Sequence, residues 1–106
     1  MNTKTIHLES SETWPLLNIL NEVCYGIRVN NFENTIGVQK AKVVDLMDRI
    51  SKNETNDGII IDLNDSEVNI LKRSFEEVFR QIDEWEFQTR IGISIQEAIK
   101  IIEKIG

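Results

Sequence analysis

The strongest constraint on the fold is an internal repeat with an offset of 55 residues. The hexapeptides FENTIG (32–37) and FQTRIG (87–92) place Phe, Ile and Gly at the same spacing. An ungapped alignment of residues 6–50 with 61–105 gives twelve identities, where roughly three are expected from ordinary residue usage. The identical pairs are Ile6/Ile61, Leu8/Leu63, Ser11/Ser66, Glu12/Glu67, Leu16/Leu71, Glu22/Glu77, Val23/Val78, Ile27/Ile82, Phe32/Phe87, Ile36/Ile91, Gly37/Gly92 and Ile50/Ile105. The sequence therefore predicts two copies of one structural unit.

The second copy has the clearer pattern of structural elements. The β-branched run GIIIDL (58–63) follows the turn signal NETNDG and predicts a strand. Apolar residues then recur at spacings of three and four, which predicts one long helix with Asp65 or Ser66 as its N-cap. The residues of this apolar stripe are Val68, Leu71, Phe75, Val78, Ile82 and Trp85.

A second helix is predicted after a connection that ends at Gly92, where Ser94 and Glu97 have the spacing of a capping box. The first copy repeats this order. It has a weaker strand at residues 4–9, a helix that begins near Ser11 to Pro15 with proline in the first turn and continues to Ile27, and a helix from about Val38 to Ile50.

These elements cannot bury their apolar faces separately, so we expect the two copies to share one core. The predicted fold is α+β and predominantly helical, with two strand-helix-helix repeats packed about a pseudo-twofold axis into a single domain, residues 1–106. Repeat one covers about residues 4–50, a polar linker covers 51–58, and repeat two covers about 59–105.

Charge is distributed unevenly along the chain. Residues 1–53 have six acidic and six basic residues, whereas residues 54–106 have twelve acidic and six basic residues, which accounts for the whole net charge of −6. Such a surface repels phosphate backbones and attracts basic proteins. The composition therefore disfavours direct contact with nucleic acid and is consistent either with a basic protein partner or with a charge that serves only solubility.

The residue types that carry catalysis are sparse in this sequence. Cys24 is the only cysteine and His7 the only histidine. Cys24 aligns with Phe79, which predicts a buried thiol, and His7 has no nucleophile or acid at a catalytic spacing. We therefore expect no catalytic residue, no metal site and no cofactor, hence a protein that is not an enzyme. The sequence shows no signal peptide or transmembrane span, which predicts a cytoplasmic protein without membrane contact.

The segment FQTRIGISIQEAIKII raises an alternative, because a helix, a glycine turn and a helix that opens on serine are typical of a helix-turn-helix DNA reader. The second helix offers Glu97 and Glu103 beside Lys100 and Lys104, with no Arg or Asn near its start to read bases. A corner between two helices, closed by glycine, is the simpler interpretation.

The segments LNEVCYGIRVNNFENTIGVQKAKVVDLMDRI and EEVFRQIDEWEFQTRIGISIQEAIKIIEKI together resemble small bacterial immunity proteins of contact-dependent growth inhibition systems. The resemblance covers both repeats and is carried mainly by apolar positions and one glycine. It implies a protein that binds and neutralises a cognate toxin domain in the cytoplasm. Many such toxins are nucleases, whose basic active-site cleft an acidic inhibitor can occupy. When free, the protein is expected to be a monomer or weak dimer.

The acidic residues of the second repeat are the predicted partner-binding site. One group lies near the start of the long helix and contains Asp62, Asp65 and Glu67; the other lies near its end and contains Glu76, Glu77, Asp83, Glu84, Trp85 and Glu86. Trp85 aligns with Asn30, so it is either an interface anchor or a residue that covers the core. Two other functions stay open at this stage: a helix-turn-helix regulator, and an adaptor that binds a partner without inhibiting it.

Overall fold

A computed structural model describes residues 3–106, which form two strands and six α-helices. In chain order these are β1 (Thr3–Leu8), α1 (Ser10–Asn21), α2 (Phe32–Ile36), α3 (Lys40–Asn53), β2 (Ile59–Asn64), α4 (Asp65–Gln81), α5 (Glu84–Ile91) and α6 (Ile95–Ile105). Helix α1 continues into a π-helical turn, Glu22–Gly26. The predicted α+β class with a predominance of helix is confirmed. No helix within residues 3–106 combines the length and the apolar character that a membrane span requires.

The two strands form one antiparallel sheet, in which Ile6 pairs with Ile61 and Leu8 pairs with Ile59. These four side chains are buried, because alternate residues of a strand point to the same face. The other face meets solvent. A two-stranded sheet is marginal alone, and here α3 packs against β2 while α6 packs against β1.

The hydrophobic core lies between the buried face of the sheet and the helices. Helices α1 and α4 contact each other, and the short helices α5 and α2 contact α1 and α4, respectively. The largest fully buried side chains are Phe75, Phe87, Leu16, Ile19, Leu20, Ile36, Ile50, Leu63, Leu71, Ile91, Ile105 and Val23. Cys24 is also buried, as predicted. Burial raises the pKa of its thiol, and the Lys40 charge offsets this only in part.

Helix starts agree only partly with the predictions. The capping box of Ser94 and Glu97 is confirmed. The N-cap of α4 was predicted wrongly as Asp65 or Ser66, because Asn64 at the end of β2 accepts the hydrogen bond from the Glu67 backbone N–H. Helix α1 already begins at Ser10, so Pro15 lies beyond the first turn.

The prediction of one long helix through Trp85 is wrong. Helix α4 ends at Gln81, Ile82 takes an extended conformation with φ −103° and ψ 126°, and Asp83 becomes the N-cap of α5. Ile82 stays buried although it is not helical, so the apolar spacing continues across the break. Each connection therefore contains a short helix, α2 or α5, that the apolar pattern alone did not reveal.

Candidate interaction surface

The predicted acidic group near the start of α4 is only partly free for a partner. The Glu67 carboxylate accepts a hydrogen bond from the Asn64 backbone and forms an ion pair with Arg49 at 2.6 Å. Asp62 accepts a hydrogen bond from the Thr5 hydroxyl at 2.6 Å. Asp65 is exposed in the first turn of the helix. Glu67 therefore holds α4 and α3 together, and Asp65 is the most available member of this group.

Glu76 and Glu77 are neighbours in sequence but occupy different environments. Glu76 is exposed, whereas Glu77 is buried. The Glu77 carboxylate accepts hydrogen bonds from Arg80 at 2.7 Å and Gln81 at 2.9 Å. Burial raises the pKa of Glu77, but these hydrogen bonds and the Arg80 charge outweigh it and hold the pKa below its ordinary value. Glu77 therefore stabilises the end of α4 as an anion.

The first turn of α5 presents an acidic cluster to solvent. Phe87 and Ile91 are the buried residues of this short helix, Trp85 lies on the side opposite Phe87, and Glu84 is exposed in the first turn. Trp85 is 78% exposed, which makes its interpretation as a residue that covers the core wrong. Within residues 3–106, Asp83 and Glu84 form no ion pair, while Glu86 lies 4.0 Å from Arg90. Asp83 and Glu84 thus keep their charge available to a partner.

Two further exposed aromatic residues, which the sequence did not single out, lie on α1 and its π-helical turn. Trp14 is 61% exposed and Tyr25 is 67% exposed. A Cβ atom at Gly92 would lie 3.2 Å from the Trp14 ring, so Trp14 contacts the end of α5. We define the aromatic face as Trp14, Tyr25 and Trp85. The alignment of the two repeats contains a signal for this face, because Trp14 is aligned with Asn69 and Tyr25 is aligned with Arg80.

The π-helical turn under Tyr25 has a specific local cause. The Ile27 backbone N–H donates to the Glu22 carbonyl at 2.8 Å, which closes the wider turn. The Glu22 carboxylate lies directly over Gly26, where a Cβ atom would be 1.9 Å from its Oε1. Glycine at this position therefore leaves room for the ion pair between Glu22 and Arg90 of α5. Such turns are frequent at functional sites.

Two surface clefts lie away from this region. One, of about 590 Å³, lies between the end of β1, the turn at residues 55–58 and Lys104. The other, of about 400 Å³, lies between α3 and the start of α4. Neither is lined by the aromatic face or by residues 83–86. Among residues 3–106, no three His, Cys, Asp or Glu side chains are grouped so that they could hold a metal ion.

The corner between α5 and α6 resembles a helix-turn-helix only in its chain path. Gly92 has φ +103° and ends α5, and Ser94 caps α6. Helix α6 buries Ala98, Ile101 and Ile105 against the rest of the molecule. Its exposed side chains include Glu97, Glu103 and Lys100. The exposed side of α6 therefore mixes acidic with basic groups.

Comparison with known proteins identifies no relative. No model of a known protein family, no curated protein and no solved structure matches the chain significantly. The geometry and charge of the chain itself are thus the basis for inferring its function.

Proposed function

We propose that this chain is an immunity protein that binds a cognate toxin domain, a nuclease, and neutralises it by occupying its basic active-site cleft. The observation that carries the proposal is the acidic first turn of α5, where Asp83 and Glu84 lie beside the exposed ring of Trp85. A nuclease cleft is basic because it binds phosphates. An acidic surface with an aromatic anchor is complementary to such a cleft and accelerates association by electrostatic steering.

The proposed contact set is narrower than the acidic residues of the sequence. Asp83, Glu84 and Glu76 are exposed, and Asp65 at the start of α4 is exposed as well. Glu67 and Glu77 are already compensated by arginines and therefore position α4. An interface of standard size buries about 1,200–2,000 Å² in total, which requires neighbouring surface besides the first turn of α5.

The other functional properties follow from the same proposal. The protein acts as a stoichiometric inhibitor in the cytoplasm and not as an enzyme, and it needs no cofactor. Its excess of acidic residues disfavours direct binding to nucleic acid. When free it is a monomer or weak dimer, because its partner is a different and oppositely charged protein.

We also propose that the chain is a duplicated unit whose pseudo-twofold axis passes between Ile6 and Ile61. These residues are 55 positions apart and pair directly across the sheet. The ion pair of Glu67 with Arg49 corresponds to that of Glu12 with Lys104, with the roles of the two halves exchanged. The contacts of α1 with α5 and of α4 with α2 are exchanged in the same way. A twofold axis accounts for all three observations.

Co-expression tests the immunity function directly. The domain encoded immediately upstream of this reading frame is induced in a bacterial host with and without this protein, and growth and RNA integrity are followed. Rescue with intact RNA supports immunity against a nuclease. Rescue from a toxin that damages neither RNA nor DNA supports immunity but rejects the nuclease. Toxicity without rescue favours a non-inhibitory adaptor, and sequence-dependent retention on DNA favours a helix-turn-helix regulator.

Association kinetics test the acidic cluster. We expect the double variant Asp83→Asn, Glu84→Gln to bind the toxin domain roughly threefold to tenfold more slowly at low salt, because part of the steering field is removed. The matched control is Glu33→Gln, Asp48→Asn, which removes the same charge from exposed positions in the first half of the chain. Equal association rates for the two double variants at every salt concentration would show that the binding site lies elsewhere.

A further inference from the structure

We infer that the toxin-binding surface extends from α5 onto α1, so that the aromatic face of Trp14, Tyr25 and Trp85 contacts an apolar patch of the basic toxin. Asp83 and Glu84 then lie at the edge of this contact and meet the positive rim of the partner. The inference rests on the proposed function and adds the first half of the chain to the binding surface.

The first step is the exposure of the aromatic face. Both tryptophans and the only tyrosine of the chain are more than half exposed. Such side chains bring a large apolar area into an interface at a small cost in conformational entropy, and they are enriched among the residues that dominate binding energy. The other large exposed apolar side chains, Ile60 and Ile99, lie on the sheet and on α6.

The second step is that the three rings lie on two elements that contact each other, namely the first helix with its π-helical turn and α5. Trp85 lies in the first turn of α5 and precedes Gly92 by about two helical turns, and the Trp14 ring lies over Gly92 at the other end of that helix. Tyr25 follows Trp14 in the first helix, whose last turn is π-helical, and Asn18 and Glu22, which lie between them in sequence, both contact the end of α5. The aromatic face thus extends across the contact between the first helix and α5.

The third step is that contacts inside the protein hold this face in place. The Asn18 side chain donates to the Ile91 carbonyl at 2.8 Å, and Glu22 pairs with Arg90. Both contacts join α1 to α5. The Lys40 ammonium lies 6.0 Å from the centre of the Tyr25 ring, at the distance of a cation–π contact. A surface fixed before binding loses less entropy when the partner arrives.

The fourth step is that the fold does not require these aromatic side chains. Helix α4 packs on α2 with polar residues at the aligned positions, namely Asn69 for Trp14 and Arg80 for Tyr25. Asn69 lies over Gly37 much as Trp14 lies over Gly92. Because the same helix contact forms without aromatic residues, their presence on α1 indicates contact with another molecule.

The charges at the Trp85 end of the aromatic face select its occupant. Asp83 and Glu84 lie next to Trp85, and the chain has a net charge of −6. A second copy of this chain would bring like charges together at the edge of the contact, which is unfavourable. A basic protein domain brings opposite charges there and covers the rings with its own apolar surface.

Calorimetric titration with the upstream-encoded toxin domain tests this assignment. The variants are Trp14→Ala and Tyr25→Ala, and the matched controls are Asn69→Ala and Arg80→Ala at the aligned positions. We expect at least a tenfold increase in Kd for each aromatic variant and less than a twofold change for each control. Far-UV circular dichroism and the Tm of every variant verify that it is folded. The unaltered protein provides a further measurement, since the toxin domain should protect both tryptophans from quenching by iodide.

The possible outcomes separate the two proposals. Rescue of growth with unchanged Kd and unprotected tryptophans overturns the inference and leaves the immunity function standing. Binding that depends on Trp14 and Tyr25 without rescue supports the surface and rejects the immunity function. If the unaltered protein does not bind the upstream domain, both proposals are rejected.

Discussion

Helix α1 contacts α5 in nearly the same way as helix α4 contacts α2. Asn18 donates to the carbonyl of Ile91, and Arg73 donates to the carbonyls of Asn34 and Thr35, so both bonds meet the last turn of a short helix. Each short helix ends at a glycine with φ +103°. The side chains that reach solvent differ, since α1 and its π-helical turn expose Trp14 and Tyr25 where α4 exposes polar groups. The contacts that hold the helices together are thus alike, and the exposed surfaces differ.

The backbone also differs on the same side of the molecule. Helix α5 is eight residues long and α2 is five. The additional turn of α5 contains Glu84 and Trp85, and the corresponding positions in the first half are not helical. The π-helical turn beneath Tyr25 aligns with regular helix in α4. Differences in backbone and in side chains therefore coincide on this side of the molecule, which is the surface that we propose binds the partner.

The largest difference between the halves should appear when aligned phenylalanines are truncated. Phe87 is fully buried, with its ring centre 5.4 Å from that of Phe79, whereas Phe32 is half-buried beside Lys40. We expect Phe87→Ala to lower the free energy of unfolding by about 3–5 kcal/mol and Phe32→Ala by about half of that. Urea denaturation measures both. Equal losses would show that the two short helices are anchored equally.

Glu77 should make the free energy of unfolding of the protein dependent on pH. Its pKa in the folded protein lies below the unfolded value of 4.5, so its contribution is complete above pH 4.5 and is lost as the pH falls through the folded pKa. We expect Glu77→Gln to cost about 1.5–3 kcal/mol at pH 7, the range for hydrogen bonds to charged groups. Denaturation from pH 7 to pH 3 should show a flatter decline for this variant.

The control for this prediction is Glu76→Gln, one residue away and exposed. It should leave both the stability at pH 7 and the decline with pH unchanged. If Glu77→Gln behaved like Glu76→Gln, the hydrogen bonds from Arg80 and Gln81 would contribute nothing net, and the burial of Glu77 would need another explanation.

Substitution of the two glycines that end the short helices allows a direct comparison of the contact with Trp14 and the contact with Asn69. Both glycines have a left-handed conformation, so alanine should cost about 1–2 kcal/mol at either position. A Cβ atom at Gly92 would also lie 3.2 Å from Trp14, while at Gly37 the nearest atom is 3.5 Å away on Asn69. We therefore expect Gly92→Ala to cost more and to alter tryptophan fluorescence. In a Trp14→Ala background, the additional loss of stability caused by Gly92→Ala should disappear. A double-mutant cycle measures this difference.

The sequence predicts the periodic parts of this fold well and its breaks poorly. Both strands and the capping box of Ser94 follow from local patterns. The end of α4 does not, because Ile82 remains buried in an extended conformation and preserves the apolar spacing. Only tertiary packing decides whether Ile82 continues the helix or becomes extended. The short helix α5 then follows from the break and exposes Trp85.

The candidate site, like the fold, can be predicted from the sequence only in part. The acidic character of the second half is visible in the composition, but which carboxylates are free depends on partners elsewhere in the chain. Arg49 lies far from Glu67 in sequence, so their ion pair is a product of the fold. Arg80, three residues after Glu77, is a local signal that does indicate pairing within a helix. The aromatic face became visible only when the aligned surfaces were compared.

The smallest expected effect concerns the exchanged ion pairs. Arg49 pairs with Glu67 at 2.6 Å and Lys104 pairs with Glu12 at 2.7 Å, and both cations are partly exposed. Replacement of either cation by alanine should therefore cost less than about 1 kcal/mol and less still at high salt. Arg49 also donates to the Asp62 carbonyl at 2.8 Å, so Arg49→Ala should cost more than Lys104→Ala.

Arg49→Lys separates the two contributions of this side chain, because lysine keeps the charge but lacks the planar group that reaches Glu67 and the Asp62 carbonyl together. We expect its stability, measured by urea denaturation, to lie between those of the unaltered protein and Arg49→Ala, and its dependence on salt to match that of the Lys104 pair. A Lys104→Ala loss equal to that of Arg49→Ala would show that the backbone contact adds nothing. The symmetry of the two pairs would then extend to their energies, and the divergence of the halves would be confined to the aromatic and acidic surface.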